Sequence, residues 1–178
     1  MTPNINELHP KKITPTTDVK EIDWDSWEFT EQAVLCFVRD NDQLMLIHKK
    51  TGLGKGKINA PGGRIEQGET PLEAAVRETE EETGIIPKDL VLMADLQFIF
   101  TDGYSLRGKV FFAASYTGVM ANTPEADPFW CPVHDIPYAR MWADDILWLP
   151  PVLKGKKMTG RFIFDNDTML SHQLLEGI

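Results

Sequence analysis

One helix is fixed before anything else about this chain is decided. Thr70, Pro71 and Glu73 stand at the N-cap, first and third positions of a helix start, and Gly84 follows an uninterrupted polar and apolar run. In that capping-box pattern, side chains satisfy N–H groups that a first turn leaves without partners. Gly84 takes the left-handed conformation that ends a helix. The spacing predicts a helix over 71–83. At roughly 100° per residue, Leu72, Ala75, Val76, Thr79 and Thr83 share the side to be buried. Glu78, Glu81 and Glu82 share another side, while Glu73 and Glu80 point elsewhere.

The last turns of this helix are crowded with negative charge in Arg-Glu-Thr-Glu-Glu-Glu-Thr-Gly, residues 77–84. Carboxylates there oppose the helix dipole by about 0.3–1 kcal/mol each when exposed. The like pair Glu78/Glu82 adds about 0.2–0.5 kcal/mol. Arg77 offsets part of this through Glu73 and Glu81. A solvated acidic face is one reading. The other is a metal site, because converging carboxylates are hard oxygen ligands suited to Mg²⁺ or Mn²⁺.

At 178 residues the chain is long enough for one domain with a sizeable core. Its 18 basic and 27 acidic residues give a net charge of −9 and a pI near 4.9. That balance argues against indiscriminate binding to nucleic-acid polymers or anionic membranes, but not against a small anion bridged by a cation. Cys36 and Cys131 have no paired metal or redox spacing and read as reduced thiols. The first twenty residues are polar and Pro-broken, without the apolar core of a signal peptide. No segment approaches the ~18 apolar residues of a membrane span, so a soluble, cytoplasmic protein is expected.

Residues 1–28 read as an arm, with Trp24 and Trp27 as docking points. Apolar runs at 31–38 and 43–50 flank Arg39-Asp40-Asn41-Asp42 and predict a hairpin. A Gly-rich loop over 51–69 leads into the helix. A strand pair is expected at 89–100 and 109–117, and a short strand at 129–133. A second helix is expected over 143–155, bent or shortened by Pro150 and Pro151. Two strand-like runs surround 165–168. Two helices among seven or eight strands predict an α+β or mixed α/β domain with helices on the faces of a sheet. The Gly-rich loop lacks Walker spacing and reads as a flexible lip beside a site. His9, His48, His134 and His172 are scattered and read as surface or strand residues.

From Gly63 to Ile85 the chain resembles the Nudix box, Gly-x5-Glu-x7-Arg-Glu-U-x-Glu-Glu-x-Gly-U, with U a bulky aliphatic residue. Every glycine and charged position is met. Thr79 is the departure, at a buried position where it bears on packing. The resemblance implies a Nudix α/β/α sandwich with a mixed β-sheet and a loop-helix-loop catalytic motif over 29–178. It implies divalent cations, Mg²⁺ or Mn²⁺, held by Glu78, Glu81, Glu82 and the Gly62 carbonyl. Arg77 would orient those carboxylates, braced by Glu69. Glu125 would add a ligand or a base. Cations held in this way neutralise phosphate oxygens and activate water for in-line attack.

Outside the box, Lys57–Gly63 resembles the MutT-like branch, in which an Asn at the place of Asn59 reads a purine edge. Trp142-Ala143-Asp144-Asp145 resembles the Trp-Pro-Asp-Asp of enzymes that remove oxidised purine nucleotides. Trp142 can stack on a purine, and Asp144 and Asp145 can accept from its edge or, with a shared proton, donate to it. The plainer reading makes Asp144 a helix cap and Trp142 core. Lys49 stands near the place of the phosphates or sugar, and Leu53 where the nearest relatives carry an aromatic lining residue. The resemblance spans roughly residues 30–175. It implies hydrolysis of oxidised purine (deoxy)nucleoside triphosphates such as 8-oxo-dGTP to the monophosphate and pyrophosphate, by a monomer or homodimer. ADP-ribose, a dinucleoside polyphosphate or an ordinary NTP is the alternative substrate, and a non-catalytic regulator the alternative role.

Overall fold

Strand β1 (Glu31–Asp40) organises the molecule because both of its faces are buried. Val34, Cys36 and Val38 face one layer and Phe37 the other, as the two-residue strand period requires. The computed structural model describes residues 13–178. The first part of the expected arm, and His9 with it, lies outside the described residues.

The expected hairpin is present but brief. β1 pairs with β2 (Gln43–Lys49) only at Arg39↔Leu44 and Asp40↔Gln43, across a turn with Asn41 at positive φ. β2 then leaves to pair with β3 (Ile58–Asn59) and β7 (Ala126–Pro132). β1 instead pairs with β4 (Gly62–Arg64) on one side and, in parallel, with β6 (Ser105–Gly118) on the other. β6 runs antiparallel to β5 (Ile85–Phe100), whose own parallel neighbour is β8 (Met158–Asp165), and β9 (Thr168–Glu176) closes that edge. The sheet is therefore mixed, and it has nine strands where seven or eight were expected. The additional strands are the short β3 and β4, hidden in sequence inside the Gly-rich loop.

Helix α1 (Pro71–Thr83) has the predicted ends. Thr70 Oγ1 accepts from Glu73 N–H, Glu73 Oε2 accepts from Thr70 N–H, and Gly84 closes the helix at φ 77°. The buried stripe is displaced from the expected one. Ala74, Ala75, Thr79, Glu82 and Thr83 are buried, whereas Leu72 is exposed. On a 100° wheel the buried arc is centred on Ala75 and Glu82; Leu72 falls within that arc but in the first turn, before the buried stretch that begins at Ala74. Glu73 is committed to the cap, so Arg77 draws its partners from other glutamates than the expected Glu73. Thr79 is fully buried, and its hydroxyl donates to the Ala75 carbonyl at 2.7 Å, so the polar atom is satisfied within the helix.

Helix α2 (Asp145–Leu153) is short, with Pro150 and Pro151 inside it. It packs Trp148, Leu149 and Val152 against Phe37, Leu96, Phe162 and Phe164. α1 covers the opposite face through Ala74 and Ala75 on Val34, Cys36 and Val38. That is an α/β/α sandwich. On the α1 side, farther along the sheet, Val19, Ile22 and Trp24 bury against Ile99 and Ile163. Trp24 thus docks as expected, and its indole N–H donates to the Val19 carbonyl at 2.7 Å. No helix among the described residues is long and apolar enough to cross a membrane.

Candidate active site

Two glycines let the charged end of α1 reach through the sheet edge. Gly62 and Gly63 lie on β4 beside β1, and a side chain on either would collide. A Cβ on Gly62 would fall 2.0 Å from the Val34 carbonyl oxygen, and one on Gly63 2.5 Å from the Glu78 carboxyl. The bare Gly62 lets β4 lie close against β1, and the bare Gly63 leaves the space in which the Glu78 carboxyl sits. Glu82 is only 3% exposed, and its Oε1 accepts from Gly62 N–H at 3.1 Å.

Glu125 joins them from the loop before β7. Thr123 fixes that loop, its hydroxyl donating to the Glu82 carbonyl at 2.9 Å, while Lys50 N–H donates to the Glu125 carbonyl. Glu78, Glu82 and Glu125 each offer an oxygen, all within 4.8 Å of one another. Burial pushes Glu82 up to about 7, opposed by the Gly62 N–H and Lys49 and reinforced by Glu78 and Glu125. Burial raises Glu78 as well, against the pull of Arg77. Three hard oxygen donors that repel one another when alone are a fit for a divalent cation.

Arg77 occupies the centre of the brace expected of it. Its Nε and Nη2 donate to the two oxygens of Glu69 at 2.6 and 3.0 Å, a bidentate pair. Nη1 donates to Glu78 at 2.9 Å and Glu81 at 3.2 Å, and Nη2 also donates to the Arg64 carbonyl. Glu78 is therefore aimed from both sides, by the guanidinium and by the glycine window. Glu81 stands outside the group of three, with its side chain 56% exposed.

The second polar cluster lies at the start of α2. Asp144 and Asp145 are 1% and 3% exposed, and both accept from the Trp148 indole N–H, at 2.9 and 3.2 Å. Asp144 holds the N-cap position, yet its side chain makes no cap hydrogen bond, so the plain capping reading fails. One oxygen of each, Asp144 Oδ1 and Asp145 Oδ2, is buried without a partner. Burial raises both carboxyls, Asp145 further through the charge of Asp144, so the pair retains a proton at neutral pH. Such a pair presents an acceptor and a donor side by side.

A cavity of about 590 Å³ contains both clusters. Glu78, Glu82 and Glu125 line one end of it, and Trp142, Asp144 and Asp145 the other. Lys49, Leu53, Asn59 and Gly62 line it too, so of the sequence-predicted site residues only Arg77 and Glu81 are not on its wall. Asn59 uses its side-chain oxygen on Ala60 N–H at 2.8 Å, which leaves the amide N–H₂ for a ligand. Trp142 meets Phe100 and Phe164 edge-on, and Lys57 Nζ stands 5.2 Å from its ring centroid. The Gly-rich lip closes beside it, since a Cβ on Gly54 would come 2.9 Å from the Trp142 indole nitrogen.

Sequence reading missed the floor, Leu96, Phe98 and Phe100 on β5, and the side wall of Glu31 and Tyr104. The period-2 alternation of Leu96, Phe98 and Phe100 signals a shared face, but an apolar cavity floor and a core face have the same pattern.

A carboxylate trio beside a glycine window, in one cavity with a buried acid pair behind a loop-helix-loop, is the arrangement of a hydrolase. The chain belongs to the Nudix family, whose NUDIX domain model matches residues 30–150. It is similar to the oxidized purine nucleoside triphosphate hydrolase of Danio rerio, 38% identical over 83% of this chain and 97% of that protein. The Mus musculus protein of the same name is 35% identical over 80% of this chain and 92% of its own. Among solved structures, the MutT protein from Bacillus halodurans superposes with a TM-score of 0.72 at 30% identity, covering 81% of this chain and 97% of its own.

Proposed function

We propose that this Nudix hydrolase cleaves oxidised purine nucleoside triphosphates such as 8-oxo-dGTP to the nucleoside monophosphate and pyrophosphate, with Mg²⁺ as the cation and Mn²⁺ able to replace it. The observation that carries this reading is the buried Asp144–Asp145 pair, with unpartnered oxygens, in the same cavity as the Glu78–Glu82–Glu125 trio. An apolar slot for an ordinary hydrophobic ligand would not hold two orphan carboxyl oxygens, whose burial is costly. The names of the Danio rerio and Mus musculus relatives support the same substrate class.

In this reading residues 29–178 are the catalytic domain and 1–28 an arm, whose Val19, Ile22 and Trp24 pack on that domain. Glu78, Glu82 and Glu125 hold the divalent cation, with the Gly62 carbonyl and Glu81 as further ligands. The cation supplies charge neutralisation at the phosphate oxygens and lowers the pKa of water. Arg77 keeps Glu78 in place, and Lys49 meets the phosphates. Glu125, exposed at the rim, accepts the proton of the attacking water. Trp142 stacks on the purine, Asn59 donates to its edge, and the acid pair donates and accepts there. Leu53 at the mouth closes over the base. The protein acts on a small nucleotide in the cytoplasm, as a monomer or homodimer.

A turnover panel with Mg²⁺ tests this. kcat/KM for 8-oxo-dGTP and 2-oxo-dATP is expected to exceed that for dGTP, ATP, ADP-ribose and a dinucleoside tetraphosphate by tenfold or more, about 1.4 kcal/mol of transition-state discrimination. A lead for ADP-ribose or the dinucleotide would overturn the assignment of the base slot while leaving the anhydride chemistry intact.

A further inference from the structure

The cavity has a second polar wall beside its aromatic floor. Glu31, at the start of β1, and Tyr104, just before β6, both line the cavity, as the Asp144–Asp145 pair does. Tyr104 extends that floor, with its ring 5.5 Å from Phe100, which in turn meets Trp142.

Glu31 is held through one oxygen. Tyr104 Oη donates to Oε2 at 2.7 Å, and the Arg64 guanidinium forms an ion pair with the same oxygen, its Nε 2.9 Å away. Burial and the neighbouring Glu31 push the Tyr104 hydroxyl up, so it remains a donor across the working pH range. Oε1 accepts no hydrogen bond from the described residues. A carboxylate fixed through one oxygen, with the other free on a cavity wall, is an acceptor prepared for a ligand donor.

We propose that Glu31 is a specificity-determining residue whose Oε1 accepts a hydrogen bond from a donor on the bound nucleotide, with Tyr104 and Arg64 as its positioning residues. Two donors suit a specificity-determining role, because they differ among nucleotides, unlike the N1–H and 2-amino group that every guanine carries. An 8-oxo purine carries an N–H at position 7 where an unmodified purine has an acceptor, and the sugar carries hydroxyls. The assignment rests on the nucleotide reading of the cavity but not on which base is preferred.

The test compares wild type with Glu31→Gln and Glu31→Ala on four triphosphates: 8-oxo-dGTP, dGTP, GTP and 2′,3′-dideoxy-GTP. With Glu31→Gln, the amide oxygen can keep the Tyr104 bond, which turns the remaining position from acceptor to donor. kcat/KM is expected to fall about tenfold or more for substrates bearing the donor and by less than about threefold for those lacking it. A loss confined to 8-oxo-dGTP identifies the base N–H. A loss shared by the hydroxyl-bearing substrates but not by the dideoxynucleotide identifies the sugar. Glu31→Ala should follow the same ranking, and thermal melting confirms that each variant is folded. An equal loss on all four substrates, or none, overturns the proposal and makes the triad a strut for the start of β1. Failure of the wild-type enzyme to hydrolyse any of the four with Mg²⁺ would instead refute the proposed function.

Discussion

At the scale of single residues, burial sets the behaviour of both acid clusters. Glu82 is held up to about 7 by its burial and by Glu78 and Glu125, so its negative charge is unfavourable until a cation is present. Glu82→Gln is therefore expected to melt at or above the wild-type temperature in EDTA at pH 8. It should also lose the rise in Tm that Mg²⁺ gives the wild type and lower kcat by more than about a hundredfold, beyond the loss typical of residues that merely support a ligand. A mutant that retained the Mg²⁺-dependent rise would remove Glu82 from the metal set. Asp144 has the opposite linkage sign from a salt-bridged aspartate. Its folded pKa is raised from the ordinary 3.8 to about 7, so the folded state binds more protons than the unfolded chain between those values. Its contribution to stability is then most favourable below about pH 4 and declines as pH rises through 7. Asp144→Asn keeps an acceptor for Trp148 and removes one of the two titrating groups of the pair. The variant's Tm, relative to wild type, should climb steadily from pH 4 to 7.5; a flat difference would mean that the pair is ionised throughout.

At the scale of elements, the loop-helix-loop separates stability from activity. Thr70→Ala removes the cap that accepts from Glu73 N–H, at a cost of about 1 kcal/mol, or roughly 2–4 °C in Tm for a domain of this size. Turnover measured well below the melting point should be nearly unchanged. Gly63→Ala should show the reverse balance. Its Cβ would stand 2.5 Å from the Glu78 carboxyl, a flexible group that can swing away, so the structure survives while the trio loses its spacing. A large fall in kcat with only a small change in Tm is expected, and parallel losses would show that the glycine serves packing instead. The helix itself was legible in sequence because its caps are local chemistry: Thr70, Pro71, Glu73 and Gly84 each act within one turn. β3 and β4 were not legible. Two and three residues are too few to show a period; β4 pairs with β1, well back in the chain, and Gly62 and Gly63 read as loop residues by every local measure.

At the scale of the whole molecule, the arm and the cavity lie on opposite faces of the same strands. Ile99 meets the arm, whereas its neighbours Phe98 and Phe100 line the cavity. Ile163 stands between Phe162 and Phe164 in the same way. Val19 N–H donates to Ser171 Oγ at 3.0 Å, which ties the arm to β9 as well. Trp24→Ala should cost about 3–5 kcal/mol as a buried aromatic is lost, measurable by denaturant unfolding. A change within about 0.5 kcal/mol would mean that the arm is not integral to the fold. Trp24 and Trp27 were identifiable as docking residues because a large aromatic in a polar, Pro-broken stretch has few other uses. The surface they dock on could not be read, because Ile99 and Ile163 are far apart in the chain and meet the arm only when β5 and β8 pair.

What the sequence determined by itself is the local chemistry: a capped helix, a fixed order of carboxylates behind it, a brace of Arg77 and Glu69, and an adjacent acid pair after Trp142. Covalent spacing and helical geometry suffice for the helix and its carboxylates, while the brace and the use of the acid pair come from the resemblance to the Nudix motif. Only the tertiary structure decided which carboxylates converge. Glu125 reaches Glu78 and Glu82 because β7 pairs with β2 and Thr123 anchors its loop to the end of α1, whereas Glu81, next to Glu82 in sequence, turns to Arg77 and solvent. Tertiary pairing likewise brought Glu31 and Tyr104 to the wall of the cavity that holds the acid pair. Neighbouring helical residues point about 100° apart, so adjacency to Glu82 cannot by itself bring a carboxylate to Glu125. Packing of distant strands can.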